Sequence, residues 1–154
     1  MQKTLCLLAV AGSLVTVAAP ANAQFNKPED AIRYRQSAFV VMGNHMGRIN
    51  AQLKSSSPNI QVIQASAAVA EVMSKLPYEA FVPGSESGGT PPTRAKPEVF
   101  KDSDKIKSLA EKMQGEMVKL NAAAKTGDIS AIRAQFGETG KACKACHDDY
   151  RKDL

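Results

Sequence analysis

Residues 103–150 read SDKIKSLAEKMQGEMVKLNAAAKTGDISAIRAQFGETGKACKACHDDY, and they contain two helical patterns separated by Gly127 and Asp128. Apolar residues recur in steps of three and four, the spacing of one face of an α-helix. Gly127 is a residue that commonly ends helices, and the Asp128 side chain is suited to cap the next one. The first face consists of Ile106, Ala110, Met113, Met117, Leu120 and Ala124, and the second of Ile129, Ile132, Phe136, Thr139, Cys143, Cys146 and Tyr150. This pattern predicts a pair of antiparallel helices.

Two local signals refine this helix pair. Ser103 is a candidate N-cap for the first helix. Gly137 and Gly140 weaken the second helix shortly before its cysteines, because glycine is a poor helix former. We therefore expect a bend or a short interruption there.

The same spacing occurs in two segments upstream. One begins at Pro28, a favoured first-turn residue, and its face consists of Ile32, Arg35, Phe39, Met42, Met46, Ile49 and Leu53. The other begins near Pro58 and ends at Pro77, and its face consists of Val62, Ser66, Val69, Met73 and Leu76. Residues 77–97 hold five prolines and three glycines, which predicts one long loop. The sequence thus predicts an all-α protein, an antiparallel four-helix bundle.

The composition supports this fold and excludes some functions. The chain has 154 residues, of which 44% are hydrophobic and only 5% aromatic, with no tryptophan, so a β-sandwich is disfavoured. The net charge of +5 raises the question of nucleic-acid binding. The chain has no basic stripe with interleaved aromatic residues, so we do not expect a nucleic-acid partner.

The first 23 residues predict a cleaved secretory signal peptide. Lys3 precedes an apolar run from Leu5 to Ala19, and the sequence at 21–23 has the Ala-x-Ala form of a cleavage site. The run is shorter than the ~20 residues of a membrane span. A lipoprotein would have its cysteine after this run, whereas Cys6 lies at its front. We expect a mature domain at residues 24–154 with two cysteines, exported to an oxidising compartment and without a membrane anchor.

The segment Cys143-Lys144-Ala145-Cys146-His147 has the C-x-x-C-H form that attaches c-type haem. Cysteines three apart lie on one helix face and can both bond a porphyrin, and the adjacent histidine can ligate the iron. Three alternatives compete: a disulfide, a zinc site and a chance match. The βαβ pattern of a thioredoxin-like protein is missing, and a zinc site would need His45 from another helix. Covalent haem is therefore the preferred prediction.

Two further features bear on a haem. Arg35 lies between apolar positions of the first helix, where a charge needs a partner. A side chain that reaches solvent at the bundle end is one explanation, and pairing with haem propionates is the one we prefer. The sixth iron ligand stays open, because the methionines on the apolar faces fit core packing as well as ligation.

The mature chain resembles the cytochromes c′, four-helix proteins that carry haem near the C-terminus. The resemblance rests on residues 24–31 and 34–38 and on the segment 143–152. It implies a periplasmic homodimer with one covalent haem c per chain, attached through Cys143 and Cys146, with His147 as the axial ligand and an open opposite face.

The resemblance also assigns residues around the haem. Family members place a bulky apolar residue, often leucine, over the open face, and here that position is Phe39. Phe39 cannot ligate iron, which favours five-coordinate haem. Arg35 and Gln36 match positions near the propionates, and Arg151 matches an arginine near the axial histidine.

The expected function is binding of a gas ligand rather than catalysis. The resemblance implies nitric oxide binding or protection from it, with carbon monoxide as a possible second ligand. The alternative is electron transport in a respiratory or denitrifying chain, in which a basic end of the bundle docks an acidic redox partner not identified by the sequence. The basic residues concerned are Lys141, Lys144, Arg151 and Lys152.

Overall fold

Four α-helices form the protein in a computed structural model that describes residues 24–153. They are α1 (Pro28–Lys54), α2 (Ile60–Met73), α3 (Ser103–Thr126) and α4 (Ile129–Tyr150). Each helix packs against the next one along the chain, and the described residues contain no β-strand. The predicted all-α four-helix bundle is confirmed. The predicted signal peptide at 1–23, with Cys6, lies outside the described residues.

The turn between α3 and α4 forms as its two residues predict. Gly127 adopts the left-handed conformation with φ 75°, and its N–H donates to Ala124 O at 3.1 Å. The Asp128 carboxylate accepts hydrogen bonds from the backbone N–H groups of Ser130 and Ala131, at 2.8 and 3.2 Å. A glycine stop and an aspartate cap therefore reverse the chain within two residues.

The predicted interruption of α4 and the predicted N-cap of α3 are wrong. Helix α4 continues through Gly137 and Gly140 without interruption. Both glycines face solvent, and tertiary packing of the opposite face sustains the helix despite their low propensity. At α3 the N-cap is Asp102 rather than Ser103, and its carboxylate accepts a hydrogen bond from the Tyr150 hydroxyl at 2.9 Å.

The buried face of α2 differs by one position from the prediction. It consists of Ile63, Ser66, Ala67 and Ala70, whereas Val62 is 36% exposed and Val69 half-buried. Apolar residues surround most of this helix, so their spacing alone does not define one face. The small side chains on the buried side let the neighbouring helices approach closely.

Side chains from neighbouring elements satisfy several helix C-termini. The Arg133 guanidinium of α4 donates to Leu53 O at 2.6 Å, at the end of α1. Gln64 of α2 donates to Ala124 O at 3.1 Å, at the end of α3. Leu53 O thereby gains a partner at the end of its helix, and Ala124 O gains a second one beside the Gly127 N–H.

The segment between α2 and α3 closes one end of the bundle. It contains two 3₁₀-helices, at Leu76–Ala80 and Pro97–Phe100. The opposite end is filled by aliphatic side chains, and methionines fill the middle. Five of the eight aromatic residues lie between the middle of the bundle and its closed end: Phe39, Tyr78, Phe81, Phe100 and Tyr150. No helix within residues 24–153 is long and apolar enough to cross a membrane.

Candidate functional site

Two half-buried thiols lie at the closed end of the bundle. Cys143 and Cys146 are three residues apart on α4, and neither forms a disulfide within the described chain. Cys143 packs with the methionine-rich middle of the core, and Cys146 with the aromatic end. Burial raises the pKa of both thiols; the neighbouring Cys146 adds to this at Cys143, and Asp149 does so at Cys146. A redox-active pair needs a lowered pKa instead, so the electrostatics do not favour thiol-disulfide chemistry.

His147 follows these thiols in the last turn of α4. Its side chain is half-buried, and burial lowers the pKa of the imidazole. The positive charges of Arg151 and Arg94 lower it further, while Asp148 opposes them. A neutral imidazole is the form that ligates a metal. His147, which the motif predicts to be the iron ligand, therefore lies in surroundings that favour a neutral imidazole.

The end of α4 is held by the segment before the second 3₁₀-helix. The Lys96 N–H donates to Tyr150 O at 2.9 Å, and the Lys152 N–H donates to Arg94 O at 2.8 Å. The Arg94 guanidinium donates back to Lys152 O at 2.8 Å, and Lys96 Nζ donates to Asp149 O at 3.0 Å. Lys96 thus satisfies a carbonyl in the last turn of α4, where the helix dipole favours positive charge, and Arg94 binds the chain just beyond the helix. This arrangement fixes the backbone beside His147.

Phe39 of α1 lies in the same core cluster as Cys143. The ring of Tyr78 packs edge-on against it, with centroids 6.3 Å apart and an interplanar angle of 81°. Burial raises the pKa of Tyr78, and the nearby Cys146 and Cys143 raise it further, so the phenol stays neutral. Sequence reasoning missed Tyr78, whose only signal is an aromatic residue within a proline-rich loop.

Arg35 has several protein partners in the segment between α2 and α3. It is 2% exposed, and its Nη1 donates to Ala80 O at 3.0 Å and to Ser85 Oγ at 2.7 Å. Its Nη2 donates to Ser85 O and, at 3.1 Å, to Thr93 Oγ1. Four of the five guanidinium N–H groups are therefore engaged by the loop, which leaves the N–H on Nε for any other partner.

Two aromatic rings enclose the same guanidinium. Its central carbon lies 5.0 Å from the centre of the Phe81 ring and 5.6 Å from that of Phe100. The neighbouring Gln36 also bonds the loop, through Nε2 to Pro91 O at 3.0 Å. Arg35 and Gln36, which we predicted to lie near the haem propionates, thus both form hydrogen bonds to the loop. These bonds support a role of both residues in anchoring the loop.

Most predicted site residues gather at one end of the bundle. Cys143, Cys146, His147 and Phe39 lie at or next to the closed end. The exposed Arg151 directly follows α4 at that end and pairs with Ala95 in an isolated β-bridge. His45 lies elsewhere on α1, half-buried. Within residues 24–153 no group of three or more His, Cys, Asp or Glu side chains is arranged to hold a metal ion. The described residues therefore offer no support for the zinc alternative.

Comparison with known proteins identifies the family. The family model described as "Cytochrome C'" matches residues 30–151. The chain belongs to the cytochrome c′ family. It is 45% identical to a cytochrome c′ of Alcaligenes xylosoxydans over 130 residues, which covers 84% of this chain and 98% of that protein.

Solved cytochrome c′ structures share the fold. The structure from Rubrivivax gelatinosus superposes with a TM-score of 0.77 at 45% identity, covering 84% of this chain and all of that one. A nitric oxide complex of a leucine-to-alanine variant from Alcaligenes xylosoxidans gives a TM-score of 0.77 at 43% identity, covering 85% of this chain and all of that one. The match extends over nearly the whole described region.

Membership of the cytochrome c′ family implies a c-type haem, and the residues present fit that group. The two free thiols share one face of α4, as thioether bonds to one porphyrin require. Burial lowers the pKa of the adjacent imidazole, which favours its neutral, ligating form. The apolar and aromatic side chains packed around the thiols suit a large planar cofactor.

Proposed function

We propose that this cytochrome c′ carries one haem, bonded through Cys143 and Cys146 and ligated by His147, and that it binds nitric oxide at a five-coordinate iron. The observation that carries this proposal is the position of Phe39, which packs in one cluster with Cys143 and has no atom able to ligate iron. When bound by these residues, the haem would supply an iron able to take up a gas molecule.

The protein residues would decide which ligand is retained. Phe39 and Cys143 pack with a cluster of methionine, alanine and aromatic side chains. Such surroundings exclude water and offer little hydrogen bonding to hold bound oxygen. Nitric oxide needs no such assistance. Support also comes from the relatives, since two solved cytochromes c′ from Alcaligenes xylosoxidans contain nitric oxide.

We further propose that the protein works in the periplasm as a homodimer. The location follows from the predicted signal peptide at 1–23. The dimer is supported by an apolar surface on α1 and α2, where Val40 and Val72 are 61% and 58% exposed. Next to them lies a groove of about 510 Å³, in which apolar residues such as Val41, Met73 and Leu76 lie beside the charged Asp30 and Arg33. A second copy of the chain would cover this surface, because exposed apolar patches mark contact sites.

Electron transport is the competing interpretation. It requires a basic surface that binds an acidic redox partner, and one observation disfavours such a surface. Lys141 pairs with Glu138 at 2.7 Å, and Lys144 pairs with the Asp148 carboxylate. Two of the four lysine and arginine side chains proposed to attract an acidic partner thus have acidic neighbours of their own. The surface is more balanced in charge than the sequence suggested.

Titration of the reduced protein with nitric oxide tests the proposal. We expect a change in the visible spectrum that saturates at one nitric oxide per chain. A variant with both Cys143→Ala and Cys146→Ala is the control, and it should lack covalent haem and show no such change. Absence of any spectral response in the reduced wild-type protein would contradict the proposal.

A further inference from the structure

A row of aromatic rings connects Phe39 with the buried Arg35. It consists of Phe39, Tyr78, Phe81 and Phe100, which we call the aromatic row. We propose that the aromatic row, anchored by Arg35, holds the Phe39 ring in place and thereby sets how fast a gas ligand reaches the haem iron. This inference rests on the proposed function, because it assumes that Phe39 covers the open face of a haem.

The rings are spaced for direct contact along the whole row. Centroid distances are 6.3 Å from Phe39 to Tyr78, 6.1 Å from Tyr78 to Phe81, and 5.6 Å from Phe81 to Phe100. The first and last pairs are edge-to-face, at 81° and 63°. These are preferred geometries of aromatic pairs, so displacement of one ring costs contacts with its neighbour.

Both ends of this arrangement belong to α1. Arg35 and Phe39 are four residues apart and therefore lie on the same face of the helix. Arg35 donates to Ala80 O, the last residue of the 3₁₀-helix that carries Tyr78. The same guanidinium lies against Phe81. The helix that carries Phe39 thus also binds the segment that restrains it.

Phe39 packs against the methionine-rich cluster, which includes Met42 of the same helix, but other neighbours on α1 add little restraint. Val40 is largely exposed, and Gly43, one turn later, has no side chain and no neighbour within 4 Å of a Cβ position. The edge-on contact from Tyr78 is the aromatic contact that the structure gives to Phe39. Tyr78 is therefore a positioning residue, one that acts on ligand access through Phe39.

The test measures carbon monoxide association with the reduced haem protein after flash photolysis. Tyr78→Leu is expected to speed association about tenfold, because the loss of one ring contact lets Phe39 move aside more often. Tyr78→Phe should stay close to the wild-type rate, since it keeps the ring and removes only the hydroxyl. Phe136→Leu, in the aliphatic core at the opposite end, is the matched control and should leave the rate unchanged.

A double-mutant cycle separates action through Phe39 from other effects. In a Phe39→Ala background, Tyr78→Leu should cause no further increase in the association rate. The losses in unfolding free energy of the two single variants should also fail to add, since the residues share one contact. Phe81→Leu, the next position in the row, serves as a second variant and should speed association as well.

Three results would overturn the inference. One is a wild-type association rate in both Tyr78→Leu and Phe81→Leu. Another is a tenfold increase that persists in the Phe39→Ala background, because Tyr78 would then act independently of Phe39. The third is an equal increase in Tyr78→Phe, which would assign the effect to the hydroxyl. Failure of the proposed function looks different, because the wild-type protein would then show no carbon monoxide complex.

Discussion

Replacement of Arg35 by methionine is expected to lower the free energy of unfolding by about 3–5 kcal/mol. The guanidinium is buried, and its four hydrogen bonds reach Ala80, Ser85 and Thr93. Methionine fills similar space but leaves buried carbonyl oxygens without donors, and each such oxygen costs roughly 1–3 kcal/mol. Relief of the buried charge offsets part of this loss, which keeps the total below the simple sum.

The ionisation of Arg35 supports this expectation. Burial lowers its pKa to about 10, while Glu86 acts in the opposite direction. A guanidinium with that pKa is still charged at neutral pH, so its hydrogen bonds are charge-assisted and stronger than neutral ones. The loop acceptors and the two aromatic rings provide the compensation that a buried charge requires.

Urea unfolding of the haem protein measures this effect. Arg48→Met is the control, because Arg48 is exposed on the same helix. That variant should change stability by no more than about 0.5 kcal/mol, as expected for a surface substitution. A loss below about 1 kcal/mol in Arg35→Met would show that the loop does not depend on this residue.

Replacement of Phe39 by alanine is expected to increase the affinity for carbon monoxide about 30–100-fold. Carbon monoxide favours a linear arrangement on haem iron, so a ring over the open face must bend the ligand or move away. A steric penalty of about 2–3 kcal/mol corresponds to that factor. The half-buried position of Phe39 and its contact with Tyr78 make displacement costly.

Equilibrium titration of the reduced protein with carbon monoxide measures the change. Phe136→Ala provides the control, because it removes an equal ring from the aliphatic core at the opposite end of the bundle. Its affinity should match that of the wild-type protein. An affinity in Phe39→Ala equal to the wild-type value would remove Phe39 from the ligand face.

The parts of the fold that follow from local patterns could be predicted from the sequence. Gly127 and Asp128 define the α3–α4 turn through backbone conformation and capping, which need no distant partner. The buried face of α2 could not be predicted, since Val62 and Ile63 are equally apolar and only packing distinguishes them. In α4, tertiary packing overrides the low helix propensity of Gly137.

The candidate site likewise contains some residues that could be predicted from local sequence and others that depend on distant contacts. Cys143, Cys146 and His147 are recognisable because their chemistry depends on spacing along a single helix turn. The partners of Arg35 come from residues 80–93, between 45 and 58 positions away in the sequence. The sequence pattern shows that Arg35 needs a partner but does not identify it. Tyr78 escaped notice for the same reason, because its role depends on a contact with Phe39 across the bundle.

The visible absorption spectrum of the purified protein, oxidised and then reduced, tests the central claim most directly. We predict bands of covalently attached haem with high-spin, five-coordinate iron in both states, because Phe39 provides no second axial ligand. A low-spin spectrum with a methionine–iron band would contradict this account and assign the second axial position to a methionine such as Met42 or Met46. A protein that matures without any haem would contradict it entirely.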